Sequence, residues 1–204
     1  MGHPLSEMNL ETLWKLFPIV LKQHDGCYFQ WYREAKEEIQ RCLKTPSDVR
    51  LSHIGSTAVS GLLAKPIVDI LLEISLDLDP KVCQERLTAA GWICMSEQWE
   101  PMLRLSFNKG YTLEGFAKQV YHLHLRREGD HDELYFRDYL RTHPSVAAEY
   151  AALKQRLFAQ YEHNRDGYTQ AKTAFITRYT MEGKRIFAGR YETDCRGEKT
   201  SVEG

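Results

Sequence analysis

The fold turns on residues 53–74, "HIGSTAVSGLLAKPIVDILLEI". Val49 to Ile54, just ahead of and into this stretch, alternates in strand fashion, and the Gly-Ser-Thr that follows is a turn signal. Ile67 to Ile74 is rich in branched residues and bounded by Pro66, so it reads as a central strand buried on both faces. Asp69 sits in the middle of that strand. A carboxylate in such a run costs several kcal/mol unless it meets a metal, a cation or hydrogen-bond donors. A strand ending in Gly55-Ser56, with small residues after it, also offers backbone N–H groups and a hydroxyl at its carboxyl end, where open sheets bind ligands and where phosphate oxygens can be held.

Working outward, Tyr28, Trp31, Tyr32, Ala35, Ile39 and Leu43 recur at helical spacing, and Pro46 closes that helix. Pro80 to Ala90 suits a short helix with Pro in its first turn and Gly91 past its end. Trp92–Met95, Met102–Phe107 and Val120–Leu125 read as further strands, with a turn expected at Asn108-Lys109-Gly110. Beyond Asp130 the pattern becomes helical. One stripe runs through Val146, Tyr150, Leu153, Leu157 and Tyr161, and another through Tyr168, Ala171, Phe175, Ile176 and Tyr179. This order predicts an α/β (α+β) chain: a mixed sheet flanked by helices, with a helical C-terminal third over about 132–188. A single domain is expected over residues 1–188, followed by a polar, flexible tail over 189–204.

Composition narrows the function. With 27 Lys and Arg against 28 Asp and Glu, no overall field draws the chain to nucleic acid or to an anionic membrane. Five scattered cysteines without a C-x-x-C pair read as reduced thiols. With no export signal or apolar span, a cytoplasmic location is expected. The chain also lacks a Walker lysine motif, a G-x-S-x-G elbow and a dinucleotide fingerprint, which removes the kinase and serine-hydrolase readings. Its aromatic residues do not interleave with a basic stripe, so polynucleotide is not an expected partner.

Residues 53–70, together with "KGYTLEGFAKQVYHLHLRREGD" (109–130), "ELYFRDYLRTHP" (133–144) and "NRDGYTQAK" (164–172), resemble the GrpB family, whose fold is that of the polymerase-β-like nucleotidyltransferase superfamily. The resemblance implies a mixed sheet of nucleotidyltransferase type. It also implies that Gly55, Ser56 and Thr57 hold the phosphates of a nucleotide and that Asp69 holds magnesium as one of an Asp-x-Asp pair. The second acid of that pair is absent, because its position is Leu71. Glu73 lies on the same strand face, but four strand residues put it roughly 13 Å away, too far to share an ion with Asp69.

His122 and His124 offer a different ligand set. Two apart on a strand, they project from one face roughly 6.6 Å apart, a spacing that permits joint binding of a metal ion. With Asp69 they would favour a transition metal over magnesium. The plainer reading makes both histidines hydrogen-bonded groups lining a pocket. Lys65, His53 and Arg137 are further candidate phosphate contacts, with ordinary ion pairing as the alternative. Lys172 lies four after Tyr168 and three before Phe175, inside an apolar stripe, where it either snorkels or reaches a buried anion. The expected partner is a small nucleotide or other phosphorylated ligand and the expected cofactor a divalent metal. Nucleotidyl transfer, binding without turnover and histidine-metal hydrolysis all remain open. The oligomeric state is not legible.

Overall fold

The structure is a computed structural model that describes residues 8–162 and 164–192. The expected tail therefore lies outside the described residues from residue 193 onward. Seven helices and five strands are described: α1 (Leu10–Leu16), α2 (Cys27–Leu43), β1 (Val49–Ile54), β2 (Val68–Ile74), α3 (Pro80–Ala89), β3 (Ile93–Gln98), β4 (Arg104–Thr112), β5 (Gly115–Arg127), α4 (Asp132–Thr142), α5 (Pro144–Gln160), α6 (Arg165–Gln170) and α7 (Thr173–Ile186). The sheet order is β1-β2-β5-β4-β3. Only β2 and β5 run parallel, so the sheet is mixed, as expected.

The two faces of this sheet differ sharply. On one, Leu51, Leu72, Leu125 and Leu105 line up across four strands, and so do Ile70, Leu123 and Phe107. This face packs on Ile39 and Leu43 of α2 and Leu87 of α3 to form the main core. Period-two alternation sends the other residues of the same strands to the opposite face. There Asp69 pairs with His122 and His122 with Asn108, while Leu71 pairs with His124 and His124 with Ser106. The site lies on this polar face.

The buried strand β2 is as the sequence implies, with every residue buried except Asp69, although β5 rather than β2 occupies the middle of the sheet. At α3, Asp79 caps the helix by accepting from the Lys81 amide, and Pro80 occupies the first turn. The turn expected at residues 108–110 does not form. β4 continues through it, with a register shift between Lys109 and Tyr111, and the chain reverses at residues 113–114 instead. Gly110 serves the bulge: its φ is +89°, and a Cβ there would stand 2.2 Å from the Gln119 carbonyl oxygen. The second C-terminal stripe is also not one helix, because it breaks between α6 and α7 and leaves Lys172 at the N-cap of α7. α1 carries no apolar periodicity long enough to have been read in advance.

Candidate functional site

Gly55 leaves β1 with φ +70°, and a Cβ at this position would lie 2.3 Å from Asp69 Oδ2. The glycine is needed twice over, for its left-handed backbone and because the turn rests directly on the carboxylate. Ser56 follows, and its Oγ accepts a hydrogen bond from Lys154 Nζ at 2.9 Å. Lys154 also donates to the Leu63 carbonyl and lies 4.5 Å from the centre of the Tyr150 ring. Ser56, Thr57, Asp69 and Lys154 line a cavity of about 890 Å³.

Asp69, with 28% of its side chain exposed, accepts from His122 Nδ1 at 3.2 Å. Burial pushes its pKa up, but the hydrogen bond from His122 and the nearby Lys172 charge more than offset this, and the carboxyl is held below its usual value. The Nε2 of His122 lies 2.7 Å from Tyr111 Oη, and Arg165 Nη2 reaches the same hydroxyl at 3.5 Å. His124, one step along β5, lines the cavity and is driven by burial down to about 4, so its ring is neutral.

Three lysines border the same cavity. Burial lowers all three. Lys65 falls to about 7, with Lys172 and Arg165 pushing it down further, and Lys154 falls to about 7, with Lys172 adding to the effect. For Lys172, Asp69 partly counters the burial. Lys65 Nζ and Lys172 Nζ stand 4.6 Å and 4.4 Å from the centre of the Tyr168 ring. The Tyr168 hydroxyl is buried and has no hydrogen-bond partner among the described residues. With Arg165, four cations line the cavity against the carboxylates of Asp69 and Asp166. Leu13, Trp14, Phe17, Ile93 and Met95 give it an apolar wall.

The residues present do not fit a paired-carboxylate magnesium site. Leu71 is fully buried, packed with Ile54 and Leu134. Glu73 is buried on its own network, held by Arg50 at 2.6 Å and by His131 Nδ1 at 2.9 Å. Among the described residues, no three His, Cys, Asp or Glu side chains are grouped so as to hold a metal ion. Asp69 and His122 are instead bonded to each other, which satisfies both without a cation.

Not every candidate converges here. His53 is buried beneath α2, stacked on Tyr32 at 4.9 Å and bonded through Nε2 to Thr57 Oγ1 at 3.0 Å. Burial drives it to about 4, so it carries no charge for a phosphate near neutral pH. The Thr57 hydroxyl is also committed to the Ile67 carbonyl. Arg137 braces the fold elsewhere, donating to the His53 carbonyl, to Asp138 and to Tyr191. Arg190 and Tyr191, where the tail was expected to begin, both bind Asp138. Lys154, Tyr111 and Arg165 are the residues the sequence reading missed. Lys154 had a signal: it lies four after Tyr150 and three before Leu157, the spacing that singled out Lys172. Tyr111 had none.

No helix among the described residues is long and apolar enough to cross a membrane. A "UPF0157 protein YqkA" of Bacillus subtilis is 32% identical over 80% of this chain, and the chain spans about half (48%) of that relative's length. The crystal structure of the conserved protein GrpB from Enterococcus faecalis superposes with a TM-score of 0.71 at 26% identity, covering 82% of this chain and 99% of that one. The Cid1 poly(U) polymerase with MgGTP bound aligns at 18% identity and a TM-score of 0.48, over 68% of this chain and 44% of its own. Residues 18–182 match the family described as "GrpB protein", and the chain belongs to the GrpB family.

Proposed function

We propose that this chain binds a phosphorylated small molecule, with its phosphates against Lys65, Lys172 and the Gly55-Ser56 turn and its organic part against the wall that includes Trp14. One observation carries this reading: burial depresses the basicity of Lys65, Lys154 and Lys172, and Lys172 lowers the first two further, inside a cavity whose cations outnumber its carboxylates. Such a cluster is costly in the empty protein and is relieved by an anion. The buried Tyr168 hydroxyl without a partner supports it, since a ligand oxygen nearby would offer one. Lys154 contributes charge and fixes the Ser56 oxygen as an acceptor, leaving the serine proton free to donate.

The alternative of metal-dependent nucleotidyl transfer lacks its second acid at position 71, and for the histidine-metal hydrolase no three ligand side chains are grouped around one point among the described residues. A thermal-shift series with pyrophosphate, ATP and other nucleotides, with and without chelator, separates the readings. Stabilisation that persists in chelator, and that Lys65→Ala removes, is the expected result. Stabilisation that vanishes with chelator contradicts it in favour of a metal-borne ligand.

A further inference from the structure

The cavity holds a phenol, an imidazole and a carboxylate in one line. Tyr111 Oη lies 2.7 Å from His122 Nε2, and His122 Nδ1 lies 3.2 Å from Asp69 Oδ1. With Nδ1 donating to the carboxylate, Nε2 presents its lone pair to the phenol, so Tyr111 donates and His122 accepts. This is the relation by which weak hydroxyl nucleophiles are activated: a hydroxyl on a base, and the base held in one tautomer by an acid. The Tyr111 ring is fixed by Phe17 at 4.9 Å and Phe116 at 5.3 Å and lies nearly parallel to His122, with 16° between the planes. Arg165 Nη2, 3.5 Å from the phenol oxygen, links the nucleophile to the cation cluster, since Arg165 also bears on Lys65.

From this alignment we propose that Tyr111 is a covalent acceptor, attacking a phosphoanhydride bound in the cavity to form a tyrosyl phosphoester. The proposal rests on the reading that the cavity holds a phosphorylated ligand. An anhydride is required because a phenolate displaces only a comparably good leaving group. In the step, the Tyr111 Oη–P bond forms while the P–O bond to the rest of the polyphosphate breaks. The leaving oxygen takes the bonding pair. The phenolic proton moves to His122 Nε2, and Asp69 stabilises the imidazolium that results. Arg165 and the lysines offset the charge on phosphorus. Burial raises the pKa of the Tyr111 phenol and Arg165 counters this in part, so the phenolate is not formed beforehand and the proton leaves during attack. Asp69 acts here as a positioning residue, and its contact with the Gly55 turn sets the orientation of His122 and the edge of the phosphate site together.

The test incubates the full chain with each of the four common ribonucleoside triphosphates, labelled at the α or the γ phosphorus, and then applies a denaturing gel and peptide mass mapping. A label on Tyr111 is expected. Its position distinguishes nucleotidyl transfer (α retained, pyrophosphate lost) from phosphoryl transfer (γ retained, nucleoside diphosphate lost). Tyr111→Phe should abolish the label, and His122→Asn should slow its appearance on the order of a hundredfold. Both variants should keep the triphosphate-induced thermal shift, a readout that a merely structural role would not separate from labelling. A triphosphate that stabilises the fold yet leaves Tyr111 unlabelled overturns the proposal and spares the binding function. A label that survives Tyr111→Phe also overturns it. Absence of both stabilisation and label overturns the binding function, and this proposal with it.

Discussion

Two histidines shielded from water, His53 in the core and His124 at the cavity, weaken the fold in acid. His53 and His124 are held by burial near 4 in the folded chain, against an ordinary value of 6.5. Below 6.5 the unfolded chain therefore binds protons that the folded chain refuses, and stability falls as pH drops from 6.5 toward 4. Each histidine contributes a slope of about 1.4 kcal/mol per pH unit in that window. Urea melts at pH 7, 6 and 5 should show this loss, and His53→Gln should remove part of it. The lysines act on binding in the opposite sense. Lys65 and Lys154 titrate near 7, so their ammonium forms dominate below that value and are lost above it. Affinity for sulfate, whose own charge is constant in this range, should fall from pH 6 to pH 8.5. Lys172→Met should raise stability by about 1 kcal/mol, by removing a desolvated cation, and should weaken sulfate binding. Unchanged sulfate affinity would assign Lys172 to packing alone.

At the scale of elements, the Gly-Ser turn is the part most sensitive to a single atom. Gly55→Ala places a methyl group 2.3 Å from Asp69 Oδ2 on a left-handed backbone. The backbone, at φ +70° and ψ −171°, is a conformation that essentially only glycine adopts and should alone cost on the order of 1–3 kcal/mol, and the displaced carboxylate should weaken ligand binding as well; chemical denaturation and calorimetry measure the two effects separately. α1 tests a different part of the site. It brings Trp14 to the apolar wall, so Trp14→Ala should weaken ATP binding severalfold while leaving pyrophosphate binding unchanged. Equal losses for both ligands would remove the wall from the account.

The strands, α2 and α3 were legible because each carries its own period and its own stop: branched residues after Pro66, Pro80 at a helix start, Gly91 at its end. Gly110 misled because glycine serves a bulge as readily as a turn, and only the register of β4 against β5 decides between them. Asp69 was legible as an acid that needs a partner, and strand spacing put forward His122 with His124 as joint metal ligands beside it; the structure instead pairs His122 with Asp69 directly. Tyr111 and Arg165 were not legible, because their meeting with His122 depends on how β4 and α6 close over the sheet. The same limit explains Arg137 and His53, whose chemistry suited a phosphate but whose strand face and helix turned them elsewhere.

For the molecule as a whole, the central claim is that the Gly55-Ser56 turn, Asp69 and the lysine cluster form one anion site. A crystal structure with a non-hydrolysable nucleoside triphosphate, grown in chelator, tests this most directly. Phosphate oxygens are expected within hydrogen-bond distance of Lys65, Lys172 and the backbone N–H groups of the turn, with Asp69 still bonded to His122. Phosphates bound outside this cavity, or Asp69 turned away from His122 to a metal ion, would contradict it.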